Sequence, residues 1–289
     1  MGKYVVTGSA SGMGHAAAER LRADGHEVIG VDQRDADVVA DLSTKSGRSD
    51  AVRAVMKLAD GVLDGAVFAA GVGAHAGKER LTVEVNVLGV TELLMALQPE
   101  LAAAGNAKVV VFGSNSTTST PFVPRRAIRM LTAGDTEGAV KLLRRRGPLA
   151  APASYAASKL AVSRWVRAKA VTQQWAGSGI RVNLLAPGPV LTPLLRDQLA
   201  SSSGKHVRSY PVPVREYGTP EQLAEWVMMM LSPAADFMAG SVITVDGGTE
   251  ALLRPNDWPS PLPVRRVPRM LAALRNAPRS GQVADYSDV

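Results

Sequence analysis

The sequence predicts an α/β domain: one doubly wound parallel sheet of seven strands with helices on both faces. Three observations predict it. Short apolar runs rich in β-branched residues recur and alternate with helical patterns. A glycine-rich turn separates the first run from the first helix, and an acid closes the second run about 20 residues later. No internal repeat or second apolar core interrupts the series, and 289 residues suffice for one large, well-buried domain.

Lys3–Thr7 is the first strand. It ends in Gly8-Ser9-Ala10-Ser11-Gly12-Met13-Gly14, and an alanine-rich helix follows over His15–Ala23. Glycines in such a turn let the backbone approach a pyrophosphate, and the helix start offers free N–H groups and a positive dipole end. Gly8, Ser11, Gly12, Met13 and Gly14 are therefore candidate cofactor contacts, although a plain structural turn explains many single glycine loops. Glu27–Val31 is the second strand. Asp32 closes it, where a carboxylate accepts hydrogen bonds from an adenine ribose. Asp32 would repel a 2′-phosphate, which favours NAD over NADP; Arg34 nearby argues the other way.

Ala36–Ala40 makes a short third strand, followed by Asp41-Leu42, with Asp41 placed to face the adenine amino group. Ser43–Asp60 is a helix. Leu63–Ala69 is the fourth strand, and its small continuation Ala70-Gly71 lets the backbone pass close to a cofactor. Leu81–Ala103 is one long helical stretch containing Asn86 and Pro99. Lys108–Phe112 is the fifth strand, ending at Gly113-Ser114-Asn115-Ser116.

Residues 118–150 then interrupt the alternation with two helical patterns, Arg125–Ala133 and Thr136–Arg146, the second capped by Asp135. Ile128, Met130, Leu131, Val140, Leu142 and Leu143 give this inserted hairpin a small apolar face, suited to a lid, a subunit contact or both. A helix carrying Tyr155 and Lys159 runs on to Ala176. Ile180–Ala186 is the sixth strand, ending in Pro187-Gly188-Pro189-Val190-Leu191-Thr192-Pro193. Residues 194–217 have the composition of a mobile lid. Thr219 caps a helix over Pro220–Leu231, and Ser241–Val245 is the seventh strand. The main domain is expected to span 1–256. Pro255, Pro259, Pro261, Pro263 and Pro268 mark 257–289 and its approach as a Pro/Arg-rich extension holding one short amphipathic piece, Arg269–Asn276.

The net charge of +7 is uneven: residues 118–150 carry +5, residues 251–289 carry +3, and the remainder sums to −1. Aromatic residues do not interleave with the basic ones, which disfavours nucleic acid as a partner. No apolar run is long enough to span a bilayer, so no membrane partner is expected, and the N-terminal residues have no signal-peptide pattern. Cysteine is absent, which removes disulfide and thiolate chemistry. A cytoplasmic location is the expectation.

Tyr155 and Lys159 stand four residues apart, on one face of a helix. A free phenol is a poor acid or base near neutrality, and a fixed cation beside it lowers its pKa. The pair is thus a candidate for moving a proton to or from a substrate oxygen.

In order along the chain, Thr7-Gly8-x-x-x-Gly12-x-Gly14, Asn86, Ser114, Tyr155-x-x-x-Lys159 and Pro187-Gly188-x-Val190-x-Thr192 resemble the short-chain dehydrogenase/reductase family over residues 3–250. Within it, the run from Val31 to Thr44, and Val245-Asp246-Gly247-Gly248 leading to Leu253-Arg254-Pro255, look like the bacterial 3α-hydroxysteroid dehydrogenase/carbonyl reductases. That group also has an extra helical segment before its catalytic tyrosine.

The resemblance implies a Rossmann-like fold with NAD across the carboxyl ends of the strands. It implies that Ser114 holds the substrate oxygen and that Tyr155 exchanges a proton with it. Lys159 binds the nicotinamide ribose and lends a positive field, while Asn86 holds a relay water. Leu42, Ala70, Gly71, Pro187, Gly188, Val190 and Thr192 join the cofactor contacts. The implied reaction interconverts a secondary alcohol and a ketone on a small hydrophobic substrate, a 3α-hydroxysteroid or 3-ketosteroid among them. The alternatives are a 3-oxoacyl thioester or general carbonyl reductase and, further off, a non-catalytic NAD-binding or nucleic-acid-associated protein. The family forms homo-oligomers. The insertion obstructs one usual helix interface, which favours a dimer over a tetramer. Two departures stand out. Phe68-Ala69-Ala70-Gly71 replaces the usual Asn-Asn-Ala-Gly, and Gly113-Ser114 replaces Ser-Ser, which leaves Ser116 as a rival serine.

Overall fold

The computed structural model describes residues 1–200, 208, 210–280 and 283. The chain divides into two compact units, Met1–Glu250 and Ala251–Val289.

The first unit is a seven-stranded parallel sheet in the order β3-β2-β1-β4-β5-β6-β7. The strands are β1 (Lys3–Thr7), β2 (Glu27–Asp32), β3 (Val38–Val39), β4 (Gly65–Phe68), β5 (Lys108–Phe112), β6 (Arg181–Pro187) and β7 (Val242–Val245). β1 lies between β2 and β4, with Thr7 opposite Val31 on one side and Phe68 on the other. The strand order reverses there, which opens a crevice at the carboxyl ends of β1 and β4. Strands buried on both faces read as continuous apolar runs, and β5, Lys-Val-Val-Val-Phe, is buried throughout.

Alternate strand residues face opposite layers. Val6, Val67 and Val110 pack with Ala17, Ala18 and Leu21 of α1 (Gly12–Ala23), and with Leu223 and Val227 of the Pro220–Leu231 helix. Val5, Ala66 and Val109 face the other layer, formed by α2 (Lys45–Ala59), α3 (Glu79–Val83), α4 (Gly89–Ala96), α5 (Gln98–Ala103) and the Tyr155 helix.

Two expected helices differ. The stretch Leu81–Ala103 is not continuous: a wide turn over Glu84–Leu88 joins α3 to α4, and the chain breaks again before Pro99, which lacks an N–H. The Tyr155 helix ends at Lys169 rather than Ala176. Thr172 Oγ1 donates to the Lys169 carbonyl at 2.8 Å, and the chain turns to bury Trp175 edge-on against Trp165.

The insertion begins after α6 (Ser116–Ser119) and forms α7 (Arg125–Thr132) and α8 (Thr136–Arg144) ahead of α9 (Ala150–Lys169). Asp135 caps α8, accepting from the Gly138 N–H at 2.9 Å. Ile128, Leu131, Val140 and Leu143 are buried in the main core, with Met130 and Leu142 packed at its edge. Arg144 bonds the buried Glu79 at 3.3 Å, and Glu137 pairs with Arg80. The hairpin is thus fixed to α3 and α9 as core, which is not how a lid is built. After β6 come α10 (Pro193–Ala200) and α11 (Pro220–Leu231), the latter closed by a Thr219–Gln222 capping box. The expected lid over 194–217 falls partly outside the described residues.

The longest helix among the described residues of the second unit is α12 (Val267–Asn276), with Pro268 in its first turn. None of the described residues of that helix is buried.

Candidate active site

The crevice at the carboxyl ends of β1 and β4 holds two adjoining cavities. One, of 220 Å³, is lined by Gly8, Ser11, Gly12, Met13, Gly14, Asp32, Leu42, Ala70, Gly71 and Thr192, all expected as cofactor contacts. The other, of 480 Å³, is lined by Ser114, Tyr155, Lys159, Pro187, Gly188, Val190 and Thr192. Met13, Ala69, Gly71, Val72, Thr192 and Leu194 line both, so the two form one continuous cleft.

The glycine turn is built for close backbone approach. Gly8 has φ +73, and a Cβ on it would lie 2.8 Å from the Ala70 N. A Cβ on Gly14 would sit 2.2 Å from the Gly8 carbonyl oxygen, so no larger residue fits the start of α1. Ser11 caps α1 without a side-chain bond, which leaves the first N–H groups of the helix to a ligand. The Ala70 N–H donates to Thr7 Oγ1 at 3.1 Å and ties the β4 end to the turn.

Asp32 Oδ2 accepts from the Ala10 N–H at 3.0 Å, and its Oδ1 accepts from the Gln33 N–H at 2.6 Å. The carboxylate is therefore oriented at the cleft wall before any ribose arrives. Arg34 is exposed and does not line the cleft. Asp41 is not among the residues lining the cleft, though its neighbours Ala40 and Leu42 are. Its Oδ1 accepts from the Ser43 N–H at 2.9 Å and from Gln33 Nε2 at 3.2 Å, and hydrogen bonds from Ser43 hold its carboxyl below the ordinary range. Asp41 caps a turn, and Gln33 and Leu42 take the lining positions.

Arg48 was not anticipated. It is only 4% exposed, donating from Nη1 to the Leu42 carbonyl at 3.0 Å and to Glu84 at 3.1 Å, and from Nε to Glu92 at 2.6 Å. Leu42 and Val85, the neighbour of Glu84, both line the cleft, so one guanidinium clamps both walls of its outer end. An arginine within a predicted α2 looks like a surface charge, and no local signal marks this one.

At the other end, Ser114 and Tyr155 line the same cavity, Ser114 near enough to the phenol to favour its ionised form, and Ser114 Oγ accepts from the Ser116 N–H at 3.1 Å. Ser116 Oγ is buried without a partner, so Ser114 is the serine that meets Tyr155. Lys159 is 7% exposed and donates from Nζ to the Phe112 carbonyl at 2.9 Å. Burial lowers it to about 8. Burial raises the Tyr155 phenol above its ordinary value, and Ser114 offsets only part of that. The phenol keeps part of its surface open to the cavity but is otherwise ringed by protein. The phenol is thus raised rather than lowered in the protein alone, desolvation being the larger cause.

Asn86 is fully buried and lines neither cavity. Its Oδ1 accepts from the Val72 N–H at 2.9 Å, and its Nδ2 donates to the Val72 carbonyl at 3.0 Å and to Ser158 Oγ at 3.2 Å. The side-chain amide thus fixes Val72, a residue shared by both cavities.

Tyr210 lines the substrate end and hydrogen-bonds Ser119. Asp246, next to β7, accepts from Asn115 Nδ2 at 3.1 Å and so braces the Ser114 turn. The bracing role of Asp246 was not anticipated; it was visible only as part of the Val-Asp-Gly-Gly run.

A sequence profile described as Enoyl-(Acyl carrier protein) reductase matches residues 8–250. The 3-alpha-hydroxysteroid dehydrogenase/carbonyl reductase of Comamonas testosteroni is 34% identical over 259 residues, covering 89% of this chain and 100% of its own. The chain belongs to the short-chain dehydrogenase/reductase family. The cis-4-hydroxycyclohexanecarboxylate dehydrogenase of Sinomonas cyclohexanicum is 33% identical across 86% of this chain and 96% of its own. Among solved structures, the 3-alpha-hydroxysteroid dehydrogenase from Pseudomonas sp. B-0831, complexed with NADH, superposes with a TM-score of 0.83 at 40% identity. That match covers 88% of this chain and 99% of the other.

Proposed function

We propose that this protein is an NAD-dependent oxidoreductase that interconverts a secondary alcohol and a ketone on a small hydrophobic substrate, a 3α-hydroxysteroid or 3-ketosteroid being the leading candidate. The observation that carries this reading is the meeting of Ser114, Tyr155 and Lys159 in one cavity at the head of a cleft that runs back to the glycine turn.

The uncapped N–H groups of α1, the Gly8–Gly14 approach and the oriented Asp32 fit a dinucleotide with a free ribose 2′-hydroxyl. When bound, the nicotinamide supplies or accepts the hydride. Ser114 holds the substrate oxygen, and Tyr155 gives it a proton in reduction and takes one in oxidation. The raised phenol favours the protonated form, which suits the donor role. Lys159 adds a cation within the same wall of the cavity. Among the described residues that line the substrate cavity it is the sole Asp, Glu, Lys or Arg, and Phe112, Val190, Leu194 and Leu195 make much of the rest apolar. That lining supports a neutral hydrophobic substrate over an anionic one.

Residues 1–256 serve in this reading as the dinucleotide-binding and catalytic domain, and 257–289 as an extension with a separate role. A homodimer is the expected assembly, because the end of α7 at Leu131–Gly134 lies against the α4–α9 face. A cytoplasmic location agrees with the absence of cysteine. No helix among the described residues is long and apolar enough to cross a membrane.

The test is a panel of 3-ketosteroids, small cyclic ketones and 3-oxoacyl thioesters, each assayed with NADH and NADPH. The reading expects NADH-linked turnover of the ketones, with NADH preferred by at least about tenfold. Turnover of the thioester alone, or of no carbonyl at all, would contradict it.

A further inference from the structure

The family profile ends at residue 250, and the Comamonas relative is matched along its whole length by 89% of this chain. The arginine-rich C-terminal segment is therefore an addition to the family's catalytic unit. Residues 258–280 contain Arg265, Arg266, Arg269, Arg275 and Arg279 and no acidic residue. In α12, Val267, Met270, Leu271 and Leu274 recur at the i, i+3, i+4, i+7 positions of one helix face, and Arg269 falls on the opposite side. That stripe is not covered: Leu271 is 56% and Leu274 65% exposed. Upstream, Trp258 and Val264 are more exposed still.

Three kinds of partner meet such a segment differently. A nucleic acid would pair with the arginines but leave the apolar stripe in water, and Trp258 is the sole aromatic residue of 258–280, too few for a stacking series. A second copy of the chain would cover the stripe. However, of the +7 net charge, +4 lies on residues 1–250, so its catalytic unit repels five arginines. An anionic lipid surface satisfies both sides at once. Acyl chains receive the apolar stripe and the indole, and headgroups receive the guanidinium groups.

We propose that residues 258–280 dock this enzyme on an anionic lipid surface, with α12 in the plane of the interface, its apolar stripe inward and its arginines among the headgroups. At about 1.5 Å per residue the helix covers roughly 15 Å of that surface. Each arginine near an anionic leaflet strengthens binding roughly fivefold, and salt weakens it. The docking is independent of the reaction assigned to the cleft.

The experiment is co-sedimentation of the full chain with vesicles of phosphatidylcholine alone, or of phosphatidylcholine mixed equally with phosphatidylglycerol. Wild type is expected to sediment with the mixed vesicles at least about tenfold more strongly than with the neutral ones, and to be released as salt is raised. The double variant Leu271→Asp, Leu274→Asp is expected to stay in the supernatant while keeping its melting temperature and whatever dehydrogenase activity the wild type shows. A second variant, with Arg265, Arg266 and Arg269 changed to Gln, should lose the preference for the anionic vesicles. Equal sedimentation with both vesicle types, or none with either, would overturn the proposal. So would a fall in oligomer mass in the Leu variant without vesicle binding by wild type, which would assign the stripe to a second copy. Duplex DNA binding that survives the Leu variant, with no vesicle binding by wild type, would assign the segment to nucleic acid.

Discussion

At the glycine-turn end of the cleft the chain offers mostly backbone, while at the Tyr155 end it offers side chains held away from their ordinary protonation. Gly8, Gly12 and Gly14 shape the first end, and Asp32 is fixed by two N–H groups. At the second end, burial raises the Tyr155 phenol and draws Lys159 down to about 8. The nucleotide end is thus ready before its ligand arrives. The chemical end is not yet electrostatically matched, and a bound positive charge would change it most. Preorganised backbone costs nothing at the moment of binding, whereas a desolvated phenol responds strongly to any charge placed beside it.

Removing the phenol breaks the chemical end alone. Tyr155→Phe is expected to lower kcat by about 10³-fold or more and to leave NADH binding within about twofold, measured by turnover and by quenching on NADH addition. Comparable losses in both would mean that the two ends are not separable.

Lys159→Met sharpens the contrast in the opposite sense for stability. The wild-type ammonium is buried with its pKa lowered from 10.5 to about 8. The unfolded chain therefore holds the proton more tightly than the folded one. Wild type carries that penalty in full below pH 8 and sheds it as the pH rises toward 10.5. The variant should lose about 10²-fold in kcat/KM yet gain about 1–2 kcal/mol in denaturant stability at neutral pH, after loss of the Phe112 hydrogen bond. The gain should disappear at the alkaline end. A variant less stable at every pH would contradict a buried, strained ammonium.

Asp32→Asn and Arg48→Lys probe the nucleotide end. Asp32→Asn keeps the shape and removes the charge, so the NADP-to-NAD ratio of kcat/KM should rise at least about tenfold. Arg48→Lys cannot hold Leu42, Glu84 and Glu92 together. The KM for NAD is expected to rise about fivefold with kcat nearly unchanged. A fall in kcat with KM constant would show that Arg48 does not act through the cofactor wall.

What the sequence made legible follows the same division. The glycine turn and the Tyr155–Lys159 spacing are local patterns, set by one loop and one helix face, and both occupy the cleft where expected. The partners of Asp41 and Asn86 were not legible, because a polar side chain's partner is set by the fold: Ser43 and Gln33 bond one, Val72 and Ser158 the other. The inserted hairpin was legible as two helices but not as core. Its apolar face became decisive only once α3 and α9 stood opposite it. Arg48 was invisible, since its partners lie on separate elements at least 36 residues away or on the carbonyl of Leu42.

The most direct test is to titrate the Tyr155 phenol by its near-ultraviolet phenolate absorbance, taken as wild type minus Tyr155→Phe, with and without NAD⁺. Five tyrosines absorb in the wild type, and the difference isolates one of them. The account predicts a phenol that ionises above its ordinary value in the protein alone and shifts downward when NAD⁺ binds. A phenolate already formed at neutral pH without NAD⁺, or a titration that NAD⁺ leaves unmoved, would contradict it.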